Sequence, residues 1–289
     1  METSRELAEK REAERLASAT EDVLPDEPLQ QGDVILWPHA SGFLETSGIV
    51  VTADCDLARA KHWGRISVVP VFAVHTYVEE LLAPKILTKH QPRLMQHFGK
   101  AIGNLLANQS GEAPSLDALE QLLGAAHLPV SLAADGQISA IHQILRQLGG
   151  WQKYESNLEC LSSTFAILNL GGNEGMQNNI RSALVTLPGD VMPIPHFSGL
   201  PFDVSVAWLR VVREIPEKGI VRKMSDMAAA SGIRVGRLSP VVRYRLTQML
   251  AQVFSDIGLP EHHERLVKDQ INGYISTLPK QPAKVGRSP

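Results

Sequence analysis

The sequence predicts an α+β protein in which a small β-barrel is interrupted by a helical insertion and followed by a helical C-terminal part. Three observations carry that expectation. Short Val- and Ile-rich runs occupy residues 29–78 and return at 183–217. Residues 79–182 between them are rich in Leu, Ala and Gln at helical spacing. A punctuated helical pattern then fills 218–278. β-branched runs bounded by Gly, Pro and polar clusters signal strands, and apolar residues at i, i+3, i+4 and i+7 signal helices.

Residues 1–28 form a charged segment, read as a helix or tail. Glu, Arg, Lys and Ala favour helix there, but Leu7 and Leu16 give it only a thin apolar stripe. Pro25 and Pro28 stop it. "GDVILWP", "SGIVVTADC" and "RISVVPVFAVHTYV" follow as strands, with connectors of hairpin length that suggest an antiparallel meander. Trp37, Phe43 and Trp63 are expected to cap or fill the barrel.

Within the insertion, Leu94, Phe98, Ile102 and Leu105 share one helical face. Ser115 is an N-cap candidate, Gly149-Gly150 a helix stop, and "NLECLSSTFAILNLGGN" a helix ending at Gly171-Gly172. "LGGNEGMQNN" matches no phosphate loop, lacking the Lys-Ser/Thr pair, and reads as a helix-to-strand connection. "SALVTLPGDVMPIPHF" and "PFDVSVAWLRVVREIP" read as strands, the second on the alternation of Val204, Val206 and Trp208, with a helix over "VSVAWLRVVREI" as the alternative. Ser239 and Pro240 open a helix that Gly258 ends, "EHHERLVKDQINGYIST" forms another, and 279–289 is a flexible tail.

Composition excludes some classes. With 44% hydrophobic and 20% charged residues, 289 residues make an ordinary globular chain of one large or two modest domains. Two cysteines fit a reducing compartment, not a disulfide framework. The first residues lack the apolar core of a secretory signal, and no apolar run reaches membrane-spanning length, so a cytoplasmic location is expected. Net charge is -3, but it is unevenly spread. Residues 1–27 carry nine acidic and four basic side chains, whereas Arg210–Arg245 carries nine basic and three acidic ones.

Asp54-Cys55-Asp56 is the first place to look for chemistry. Cys55 and Asp56 with His62 or His39 are the types a nucleophilic centre uses. Adjacent carboxylates oppose a thiolate, however. The same residues are zinc-ligand types without the paired spacing of a zinc site, so no metal and no cofactor is expected. The simplest expectation is a buried Cys55 at a strand end, with Asp56 capping the turn. His262 and His263 diverge by about 100 degrees on a helix and read as a solvated face. Arg222, Lys223, Arg234, Arg237, Arg243 and Arg245 are candidate nucleic-acid or anion contacts, because "MSDMAAASGIRVGRLSPVVRYRL" has a helix-turn-helix-like pattern.

"QGDVILW", "GIVVTADCDLAR", "ISVVPVF" and "RLSPVVRYRLTQMLAQVFSDIGLP" together resemble a widespread group of uncharacterised bacterial proteins. That group has an opening Gln-Gly-Asp strand, a strand ending in Cys-Asp-Leu and a C-terminal helix closing on Gly-Leu-Pro. The likeness covers about a third of the chain and excludes the insertion at 79–182. More distantly, Gly32-Asp33, Ile49-Val50-Val51 and Val68-Val69-Pro70 are similar in order to MazF/PemK-type toxin barrels, which implies an SH3-like barrel. Ser47-Gly48 stands where that family carries Arg-Pro.

The leading functional expectation is a non-catalytic binding or adaptor component of a bacterial operon, in a stress or phage-defence setting. Helical surfaces would bind a protein partner from the same operon. Two alternatives stand beside it: a hydrolase or ribonuclease-like enzyme centred on Cys55 and Asp56 with His62 or His39, and a nucleic-acid-binding protein using residues 210–245. Whether the chain is an enzyme stays open at this level, as does its oligomeric state.

Overall fold

The computed structural model describes residues 20–21, 23–107, 115–125, 127–150, 156–194, 197, 199–226, 228, 231–255 and 261–277. Strands β1 (Thr20–Glu21), β2 (Asp33–Leu36) and β3 (Ser47–Val50) precede a short helix, α1 (Asp54–Ala58), and the long strand β4 (Arg65–Ala73). Helix α2 (Val74–Tyr77) runs through a π-helical turn, Val78–Leu82, into α3 (Ala83–Ala107). The insertion continues with α4 (Leu116–Gly124), α5 (Val130–Ala133), α6 (Gly136–Leu148), α7 (Asn157–Ile167) and α8 (Gly172–Val185). Strands β5 (Val191–Ile194), β6 (Ser205–Trp208), β7 (Arg213–Pro216), β8 (Ile220–Val221) and β9 (Gly232–Leu238) return the chain to the sheet. Helices α9 (Pro240–Ser255) and α10 (Glu261–Thr277) follow.

The strands form a curled half-barrel in the order β1-β9-β2-β3-β4-β6-β5, with β7 added to β4 and β8 to β9. All pairings are antiparallel except β8 with β9. β4 organises the sheet. Its first half pairs with β7 and its last three residues with β6, while β3 runs along its other edge. The exchange of partners falls beside Pro70, a residue with no N–H to give the ladder. Gly48 faces Pro70, and a Cβ there would sit 3.0 Å from the Val69 carbonyl, so the close approach of β3 to β4 favours glycine.

Strand alternation divides β4 between cores. Ile66 and Val68 join Leu29, Ile35 and Val50 on one face. Val69 and Val71 join Val34 and Ile49 on the other, where Leu246, Met249 and Val253 of α9 cover them. Phe72 reaches the insertion core, packed against Phe43 at 5.3 Å in an edge-to-face pair. Each such fully buried side chain contributes roughly 1.5–3 kcal/mol.

The insertion packs around α3, whose Leu94, Phe98 and Ile102 meet Ile138, Ile141 and Leu145 of α6 and Cys160, Leu161 and Phe165 of α7. Its ends are capped as their residues predict. Ser115 accepts from Ala118 N at 3.2 Å, and Asp135 from Gln137 N and Ile138 N. Glu79, in the π-turn, ties the insertion together. Its carboxylate accepts from Asn157 N and, at 3.1 Å, from Leu158 N at the start of α7. A carboxylate at a helix N-terminus satisfies free N–H groups and complements the dipole.

Several expectations change. "GIVVTADC" is strand only to Val50, and Cys55 lies in the first turn of α1. "LGGNEGMQNN" is no connection: Asn169 and Gly171, both at positive φ, end α7, and α8 begins at Gly172. Strand character therefore resumes at Val191, well after residue 183. Residues 218–278 are not wholly helical, because β9 lies inside the sheet between β1 and β2. That placement removes the helix-turn-helix reading. Thr20 and Glu21 are strand, and residues 1–19 lie outside the described residues, as do Gly258 and the 279–289 tail. Ser239 Oγ is buried with no partner among the described residues, so it is not the cap of α9. Among the described residues no helix is long and apolar enough to cross a membrane.

Candidate functional site

The basic C-terminal third is divided by burial. Asp33 is fully buried at the start of β2, and Arg237 of β9 donates from Nε to Asp33 Oδ1 at 2.6 Å. Arg234 Nη1 lies 3.5 Å from Asp33 Oδ2, and Gln30 N donates to the same oxygen at 2.9 Å. Arg237 also pairs with Glu27 at 3.0 Å, whose carboxyl is held below its usual range by Leu24 N–H and Arg237. Arg234 donates to the Leu24, Glu27 and Pro28 carbonyls. These two arginines bolt residues 24–33 onto β9 and are not presented to a phosphate. Arg243 bonds the Gln31 carbonyl and packs against Gly32, while Arg245 is exposed beside Gln248. Arg222 and Lys223 stand apart, on the rim of a groove described below.

The loop from α1 to β4 is the other site the sequence points to. Cys55 is exposed, not buried, and its Sγ contacts Asp56 Oδ1 at 3.7 Å. Asp54 accepts from Gln31 N at 2.7 Å. Asp56 holds the turn through its backbone carbonyl, which accepts from Lys61 N at 2.9 Å and His62 Nδ1 at 3.2 Å. His62 Nε2 reaches Glu217 Oε2 at 2.7 Å. Both partners are acceptors, so the protonated imidazole satisfies both contacts and the neutral ring only one. The Glu217 carboxylate first, then the Asp56 carbonyl, raise the His62 pKa against the effect of burial. His62 is thus committed away from Cys55, and His39 is exposed in the turn between β2 and β3. The residues Cys55, Asp56 and His62 are close in the chain but do not assemble a thiol–imidazole pair.

What the loop does present is Trp63. The residue is 92% exposed, while Leu57 of α1, just before the loop, packs against the core of Leu29, Ile35, Val50, Ile66 and Val68. Ala60 and Trp63 adopt left-handed backbone at φ 51° and 52°, followed by Gly64 at 70°. Left-handed backbone is strained for a bulky residue, by about 1–3 kcal/mol. Tethers on both sides hold it there: the His62 imidazole is bonded to the Glu217 side chain, and the Gly64 carbonyl accepts from Glu217 N at 2.9 Å.

Gly64 and Glu217, the residues that anchor the loop after Trp63, line an open groove of about 690 Å³ together with Leu29, Ile220 and Val221; Trp63 itself is not part of its lining. Lys218, Arg222 and Lys223 stand on its rim with Asp26 and Asp226. Sequence reasoning found Arg222 and Lys223 through the basic run. It expected Trp63 to cap or fill the barrel, whereas the side chain stands in solvent because the left-handed backbone of the loop turns it outward. It missed Glu217 altogether. Among the described residues no group of His, Cys, Asp and Glu side chains could hold a metal ion. No family model, curated protein or solved structure matches the chain, so the geometry alone carries the functional argument.

Proposed function

We propose that the chain is a non-catalytic binding or adaptor protein, with an SH3-like half-barrel as scaffold and the Trp63 loop with its neighbouring groove as the principal partner surface. The observation that carries this reading is Trp63: a large aromatic side chain held in solvent on strained, doubly tethered backbone. Tryptophan is among the residues that dominate protein–protein binding energy, and local strain collects at functional positions. The mixed charge of the groove rim favours a protein partner over a continuous phosphate backbone, which would meet Asp26 and Asp226 as well as the cations. Exposed Val241 and Tyr244 on α9, and Leu266, Val267 and Ile271 on α10, supply further helical contact surface.

The enzymatic alternative needs a general base at Cys55, and His62 is occupied elsewhere. The proposal is tested in cells carrying single-residue variants at the native locus. Cys55→Ala and Asp56→Ala are expected to retain the cellular function and Trp63→Ala to lose it. Loss on Cys55→Ala with retention on Trp63→Ala overturns the reading.

A further inference from the structure

The insertion contains a separate cavity of about 310 Å³ between α3 and the end of α8. Its floor is formed by Tyr77, Leu82 and Ile86, all buried, and its mouth by Lys85, Lys89 and His90. Tyr77 and Leu82 flank and end the π-helical turn, a local widening of the helix that is frequent at functional sites.

Two features of this cavity bear on what it could hold. Tyr77 is only 6% exposed, and its hydroxyl makes no hydrogen bond among the described residues, yet it is not one of the fully buried polar atoms left unsatisfied, so it keeps access to the cavity that Tyr77 lines. The one carboxylate acting on it electrostatically is Asp190, which is engaged by Arg210 at 2.6 Å. Second, Lys85, Lys89 and Arg93 recur every four residues along α3, a spacing at which like charges repel. None of them has an ion-pair partner among the described residues. Burial, then Arg93 and Lys89, keep His90 below its ordinary range, so at neutral pH its ring both donates and accepts.

We infer that this cavity binds a small molecule with an apolar or aromatic body and a terminal phosphate or carboxylate. The body lies on the Tyr77–Ile86 floor, and the anionic end sits between Lys85 and Lys89, within reach of the Tyr77 hydroxyl. An apolar floor with a few convergent polar groups is the usual composition of such sites, and this volume lies at the small end of their range.

Calorimetric titration of the full chain with phenyl phosphate, benzoate, inorganic phosphate and benzyl alcohol tests the assignment. At least one of the two aromatic anions binds saturably, and the tighter of them identifies the anionic group. Inorganic phosphate and benzyl alcohol each bind about tenfold more weakly or worse, having only half of the recognised chemistry. Lys85→Gln with Lys89→Gln, two exposed positions that leave the core intact, weakens binding by about tenfold, and Tyr77→Phe weakens it severalfold. Absence of saturable binding by both aromatic anions, or binding unchanged by the double lysine variant, overturns the inference.

Discussion

His62 and Glu217, 155 residues apart in sequence, meet at 2.7 Å and fix the loop that presents Trp63. Both ring contacts of His62 are made together only when the imidazole is protonated, and the Glu217 carboxylate raises its pKa. Because the folded-state pKa of His62 is raised, its contribution to stability is complete below the ordinary value of 6.5 and is lost as pH rises through the raised value. Backbone hydrogen exchange in residues 58–64 is therefore expected to accelerate over that interval beyond its intrinsic pH dependence. Glu217→Gln should lower the His62 titration midpoint seen by NMR. An unmoved midpoint would remove the pairing from the account.

Asp33 is the counter-ion for two buried arginines. Asp33→Ala leaves Arg234 and Arg237 without it inside the sheet, a change that typically costs about 3–5 kcal/mol. Urea unfolding should show this loss, whereas Arg245→Ala, at an exposed position, should change stability by less than about 0.5 kcal/mol.

The two thiols should differ in native protein. Cys55 is exposed, whereas Cys160 is buried in α7, where desolvation and then Glu79 push its pKa up to about 12. A disulfide reagent is expected to titrate one thiol per native chain and both after denaturation. Two reactive thiols in the native protein would contradict the packing of α7.

Glu79 joins the π-turn to α7 by accepting from two of its first N–H groups. Glu79→Ala should destabilise the protein by about 1–2 kcal/mol, the usual range for losing such a cap, read from the urea midpoint. Glu79→Gln keeps an acceptor and should lose less.

Much of the architecture was legible where local patterns and long-range packing agree. β2, β3 and β4 form the expected antiparallel meander, and Ser115 and Gly149 bound helices as their residue types suggest. β9 was not legible, because "GIRVGRL" places two arginines and two glycines in a buried strand. Their burial depends on Asp33, about two hundred positions away, as the 204-residue separation of the Arg237 contact records. The start of α8 was hidden by its glycines. The exposure of Trp63 was hidden for a different reason. Left-handed backbone at Ala60 and Trp63 goes against the preference of both residues, so only the tertiary tethers to Glu217 reveal it. The same distance in sequence conceals why Arg234 and Arg237 are unavailable to a ligand.

The central claim is that Trp63, and not Cys55, carries the function. Its most direct test is a pull-down with the tagged wild-type chain, in which each protein retained is prepared separately and titrated against wild type, Trp63→Ala and Cys55→Ala. The account predicts that Trp63→Ala raises the Kd by at least about thirtyfold, as loss of a hot-spot residue does, and that Cys55→Ala leaves it unchanged. Equal affinity for wild type and Trp63→Ala, or loss of binding on Cys55→Ala alone, would contradict it.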